Sequence, residues 1–171
     1  MSGRSRWPAV ASALVAVMRA RPGYRDPEST SSTSLTPVYR SLAPTLTADS
    51  PVPLLLVVAF SGTPDERRSG GRFRQSFATS GRYQRDEDGE VACRATAQTG
   101  ASELYDVDDT EAAAFAVLAD VEDALRVDPT AGLTPDPRLV ISLGDVTDIR
   151  TYSSGGVVTD LDFTVIYSAR I

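Results

Sequence analysis

The chain contains no histidine and no lysine. The first absence removes the commonest general base and the commonest neutral metal ligand. It also rules out Ser-His-Asp and Cys-His nucleophilic machinery. The second excludes a P-loop lysine, and neither that motif nor a Gly-x-Gly-x-x-Gly fingerprint occurs. With a single cysteine, Cys93, no intrachain disulfide can form, and cytosolic synthesis is the simpler expectation. Cys93 stands in an alternating stretch, which points to a buried, inert thiol rather than a nucleophile. Long apolar runs are missing too. The stretch from Trp7 to Met18 falls short of the roughly 20 apolar residues a bilayer requires. Arg4 and Arg6 precede it as they would a signal peptide, but Arg19 and Arg21 follow where a cleavage site would stand. A buried helix and no membrane partner are therefore expected.

What is present describes a globular chain. Its 171 residues are 42% hydrophobic and 23% charged, which suits one domain spanning residues 1–171. Much of the apolar content is alanine, so the core should be thin, as in a subunit that completes its burial against neighbours. The net charge of -6 argues against a general nucleic-acid binder, although every one of the 17 basic residues is arginine.

Periodicity organises the rest. Trp7, Val10, Ala11, Leu14, Val17 and Met18 share one helical stripe, with Pro8 in the first turn and Pro22-Gly23 beyond the end. Residues 27–34 form a Ser/Thr-rich stretch expected to be a flexible surface loop. Val38 and Tyr39 suggest a short strand. Leu54 to Phe60 is continuously apolar and contains the β-branched Val57 and Val58, the mark of a central strand covered on both faces. A strand with room for a bulge at Gly81 is expected from Arg72 to Arg85, returning as Glu90 to Thr99 through a turn at Asp86-Glu87-Asp88-Gly89. A second helix is expected to start at a capping box of Asp108 and Glu111 and to end at Asp128-Pro129. Its apolar stripe would be Phe115, Leu118, Val121 and Leu125, with Asp120 and Asp123 in water or at a subunit contact. Two further strands, Leu139 to Leu143 and Asp148 to Tyr152, precede a turn at 153–156 and a long final strand. There Leu161, Phe163, Val165 and Tyr167 alternate with Asp160, Asp162, Thr164 and Ser168, which implies one covered and one exposed face. The fold class expected is α+β: a mixed, mainly antiparallel sheet packed by two helices, with a long protruding β-hairpin.

Candidate chemistry is sparse. Asp106, Asp108, Asp109 and Glu111 could hold a metal, but they lack a calcium-loop pattern and sit where carboxylates favour a helix N-terminus. No catalytic residue, metal or cofactor is assigned. Residues 65–89 are unusual in gathering Arg67, Arg68, Arg72, Arg74, Arg82 and Arg85 around Phe73, Phe77 and Tyr83. They form either an interface arm or a solvated ribbon neutralised by Asp65, Glu66, Asp86, Glu87 and Asp88. Sequence-specific DNA reading fits least.

The helix from Thr110 to Leu125, the Val127-Asp128-Pro129 that follows, and the closing strand Asp162-Phe163-Thr164-Val165-Ile166-Tyr167-Ser168-Ala169-Arg170-Ile171 resemble the tail terminator and related minor tail proteins of long-tailed phages. The resemblance is one of pattern, best over residues 108–171, and the 27–34 loop and the 65–89 hairpin stand as insertions against it. It implies a structural virion protein, made in the host cytoplasm, that forms a hexameric ring capping the tail tube. Its partners would be the tube protein and the head-completion or stopper protein, with DNA passing through non-specifically. The arginine-rich hairpin would then contact an adjacent subunit or the tube. A head-tail stopper or connector and a non-viral cytosolic binding adaptor are the alternatives, and an enzyme fits least.

Overall fold

A computed structural model describes residues 5–29, 34–41, 53–59, 71–77, 85–99, 107–133, 139–153 and 156–170. In chain order the elements are α1 (Trp7–Ala20), β1 (Tyr24–Arg25), β2 (Thr36–Arg40), β3 (Leu54–Val58), β4 (Gly71–Phe77), β5 (Arg85–Thr99), α2 (Val107–Val127), β6 (Val140–Ser153) and β7 (Val157–Arg170). The strands make one sheet in the order β1-β2-β3-β5-β7-β6, with β4 also paired to β5. Parallel pairing is confined to β1-β2 and β2-β3, and every other pair is antiparallel. The chain is thus an α+β fold with a mixed, mainly antiparallel sheet and two helices, as its periodicities predict.

Both helices pack on one face of the sheet. The α1 stripe buries Val10, Ala11, Leu14 and Met18 as expected, joined by Ala13 and Val15. The α2 stripe differs from expectation. It buries Ala114, Val117, Leu118, Val121, Ala124 and Leu125, while Phe115 is 43% exposed. Alanine and valine let the helix approach the sheet closely, so the larger Phe115 is turned off the stripe. Beneath the helices lie Val91, Cys93, Ala95 and Ala97 of β5 and Leu161, Phe163, Val165 and Tyr167 of β7. The covered strand expected from Leu54 to Phe60 spans Leu54–Val58, with Leu55 and Leu56 each nearly inaccessible, while Phe60 lies outside the described residues.

The hairpin expectation is corrected. Asp86-Glu87-Asp88-Gly89 is no turn but the first part of β5, which starts at Arg85 and pairs with β4 from Gly71↔Val91 to Phe77↔Arg85. On its other side the same segment pairs with β7, from Asp86↔Arg170 to Val91↔Val165. The described strands of the hairpin therefore lie within the sheet and do not protrude from it. The turn signal failed because Gly89 serves a packing role. A Cβ there would stand 2.5 Å from the ring of Tyr167, its cross-strand partner. Since β3 and β4 both run antiparallel to β5, along residues 93–97 and 85–91, they follow one another in line along a single edge of it.

Two separate strands were expected after α2, but β6 is continuous, with register shifts between Leu143, Val146 and Asp148 where it bulges against β7. The described part of the loop expected at 27–34 includes a turn in which the Ser29 amide donates to the Asp26 carbonyl at 3.0 Å. The cap expected at Asp108 is also revised, because the helix already includes Val107 and both Asp108 and Asp109 lie in its first turn.

Candidate interaction surface

Three polar arrangements stand out on this frame, and the first two hold it together. At one end of the helix-covered face, Glu87 of β5 is fully buried. Its Oε1 accepts from the Ser5 hydroxyl (3.0 Å), the Arg6 amide (2.7 Å) and the Tyr167 hydroxyl (2.7 Å), and its Oε2 from the Gln75 amide (2.6 Å). The α1 helix has no side-chain cap of its own at Arg6, so a carboxylate from a distant strand fills that place and faces the positive end of the helix dipole. Burial opposes ionisation of Glu87, but the Gln75, Tyr167, Ser5 and Arg6 donors outweigh it and hold the carboxyl below its usual range. Burial and the bond to Glu87 push the Tyr167 hydroxyl well above its ordinary value, so it remains a donor. Nearby, the Trp7 indole donates to the Glu90 carbonyl at 2.9 Å. Gly71, at φ +148, leaves room for that indole, which a side chain would strike.

The second arrangement lies on the opposite face, over β5, β7 and β6. Arg94 grips Asp162 through Nε (2.5 Å) and Nη2 (2.8 Å), while its Nη1 stands 3.7 Å from Asp160. Arg150 adds a bond to Asp162 at 3.1 Å, and the Thr96 hydroxyl donates to Asp160 at 2.6 Å. Alternation alone places Asp160 and Asp162 on an exposed face. That is corrected: Asp162 is only 7% exposed, beside buried Thr96, Gln98, Val158, Leu55 and Val57. A face can be polar in composition and still be covered when its charges are matched in pairs.

Of the acidic residues considered for a metal, Asp108, Asp109 and Glu111 lie within the start of α2. Glu111 accepts from the Thr151 hydroxyl at 3.2 Å, and Asp106 lies outside the described residues. Among the described residues no group of three acidic or sulfur ligands could hold a metal ion. Asp120, expected in water or at a subunit contact, instead accepts from the Tyr24 hydroxyl at 2.7 Å and faces Arg21, tying α2 to the chain just after α1. Burial, then the Asp120 bond, raises the Tyr24 hydroxyl above its ordinary value.

The third arrangement is the candidate surface. On the outer face, the far end of the sheet from the Arg94 cluster forms an open cleft of about 470 Å³ across β4, β5, β7 and β6. Two cross-strand rows make its floor: Arg72-Glu90-Ile166-Ser142 and Arg74-Asp88-Ser168-Val140. Arg72 pairs with Glu90, while Ile166 and Val140 are about half exposed. Of the arginines singled out in the sequence, the structure brings Arg72 and Arg74 together here. Arg85 opens β5 opposite Phe77, and Arg67, Arg68 and Arg82 lie outside the described residues. Val140, Ser142, Ile166 and Ser168 escaped the sequence reading. The available signal was Ile166, an apolar residue on the polar side of the last strand's alternation. A scan against protein-family models returns no match, and neither does a search of the curated proteins.

Proposed function

We propose that the chain is a structural virion protein without catalytic activity, the subunit of a tail terminator ring that caps the phage tail tube and joins it to the head-neck complex. The observation that carries this reading is the open outer face between β4 and β6. Half-exposed Ile166 of β7 and Val140 of β6 lie there, and β4 and β6, among the described residues, each pair on one side only. Apolar surface beside a strand edge is what a neighbouring subunit covers in an assembly. Ala95, Ala97, Ala114 and Ala124 are among the residues of the core, and burial of apolar surface against neighbours would add to what they contribute.

The partners in this reading are further copies of the chain, the tail tube protein on one side and a head-completion or stopper protein on the other. DNA passes without sequence-specific contact, and a net charge of -6 suits passage without adhesion. No described helix is long and apolar enough to cross a membrane.

Light scattering across a concentration series, with and without isolated tail tubes, tests the proposal. A species near six times 18.2 kDa that binds tube ends is expected. A strict monomer indifferent to tubes overturns the reading in favour of a cytosolic adaptor. Binding to portal-side neck assemblies but not to tubes would assign the chain to the head-tail stopper class instead.

A further inference from the structure

The cleft is bounded by a four-strand antiparallel ribbon, β4-β5-β7-β6, whose strand directions alternate without a break. Its two outer strands therefore run in opposite senses. If β6 of one copy is laid beside β4 of the next, the alternation continues through the junction, and each copy again presents a β4 and a β6 that, among the described residues, pair on one side only. Such a contact is head to tail, the kind that repeats from copy to copy and makes a ring where its rotation closes.

The chemistry of the two edges is complementary. β4 carries Arg72, already paired with Glu90, and Arg74, with Phe73 between them, all exposed. Among the described residues Arg74 has no ion pair. The β6 edge carries exposed Asp145, Val146, Thr147 and Ile149 around its bulge, and Val140 nearer its start. A two-fold pairing of β4 with itself would set arginines against arginines, a like-charge arrangement that cross-strand pairs disfavour.

We infer that the β4 edge, through Arg72, Phe73 and Arg74, docks against the β6 edge, around Asp145 and Val146, of a second copy of this chain. The inference rests on the ring reading above and specifies its subunit contact. The occupant of the β4 edge is a strand of the same protein, added to the sheet by main-chain hydrogen bonds, with the arginine-aspartate contacts selecting orientation.

The test uses exposed serine and threonine positions, which leave the charges intact. Full-length Ser76→Cys protein is mixed with Ser142→Cys or Thr147→Cys protein under mild oxidation, and the native mass is followed in parallel. Disulfide formation needs Cα atoms about 4.4–6.8 Å apart, so it reports strand adjacency. A mixed crosslink between Ser76→Cys and one β6 position, absent when either variant is alone, is the expected result. Arg72→Glu/Arg74→Glu in the native chain should abolish the oligomer, and raising salt should weaken it. Crosslinking of a single variant to itself would overturn the head-to-tail contact. An oligomer with no mixed crosslink would overturn the edge assignment while leaving the ring reading standing. A monomer at every concentration would overturn both.

Discussion

Glu87 shows how much of the fold can depend on one side chain. A fully buried carboxylate is costly unless its oxygens are satisfied, and here four donors from three separate parts of the chain satisfy it. Glu87→Gln keeps the shape but replaces one acceptor oxygen with a donor facing other donors. A loss of about 2 kcal/mol at neutral pH is expected in urea unfolding. The sign of the pH dependence follows from the lowered carboxyl. Its stabilising contribution is complete above the ordinary value of 4.5 and is lost as pH falls through the depressed folded value. Asp128, held below its ordinary 3.8 by the Thr130 side chain and then the Thr130 amide, adds in the same direction. The native protein should therefore lose stability below about pH 4.5, and the gap to Glu87→Gln should narrow as acid is added. A constant gap down to pH 2 would mean that the charge of Glu87 contributes nothing.

At the scale of elements, β5 is the organising strand, paired to β3 and β4 along one side and to β7 along the other. Its two faces do different work. Cys93, Ala95 and Ala97 bury apolar surface under the helices, while Arg94 and Thr96 pair with the acids of β7. Because Arg94 and Asp162 are both largely buried, removing one partner should cost more than removing both. Arg94→Ala is expected to destabilise by about 3 kcal/mol, leaving Asp160 and Asp162 under-compensated. The pair Arg94→Met with Asp162→Leu should recover a large part of that loss. A double-mutant cycle by denaturant unfolding measures the coupling, and strictly additive losses would show the pair to be energetically independent.

The whole molecule is a sheet with helices on one face and a second face that changes character along its length. One end is covered and charge-matched around Arg94, and the other is open between β4 and β6. Cys93 lies within the helix-covered core. Burial pushes its thiol up to about 12 and keeps reagents out. Alkylation of Cys93 at mildly alkaline pH should proceed only through global opening, at a rate that tracks the unfolding equilibrium across a urea series. Labelling much faster than that would reveal local separation of β5 from α2.

Much of the scaffold was legible in residue order. The amphipathic stripe of α1 from Trp7 to Ala20, the doubly buried Leu54–Val58 and the inward series Leu161, Phe163, Val165 and Tyr167 all follow from local periodicity, because burial imposes a period of 3.6 on helices and 2 on strands. That Cys93 is buried followed in the same way. Local pattern could not say that Asp86–Gly89 continues a strand, since a turn signal and a glycine kept small for the Tyr167 ring look alike along the chain. Nor could it say that Asp162 is covered or that Glu87 caps a helix some eighty residues away, because both depend on which groups meet across the sheet. The cleft has the same origin. Arg72 and Arg74 were visible as candidates, but Val140 and Ile166 join them only through the register of β4, β5, β7 and β6. Sequence by itself determined which residues want to be buried and with what period. Tertiary structure alone decided which charges find partners and which strands, among those described, pair on one side only, because pairing energies depend on contacts that residue order does not specify.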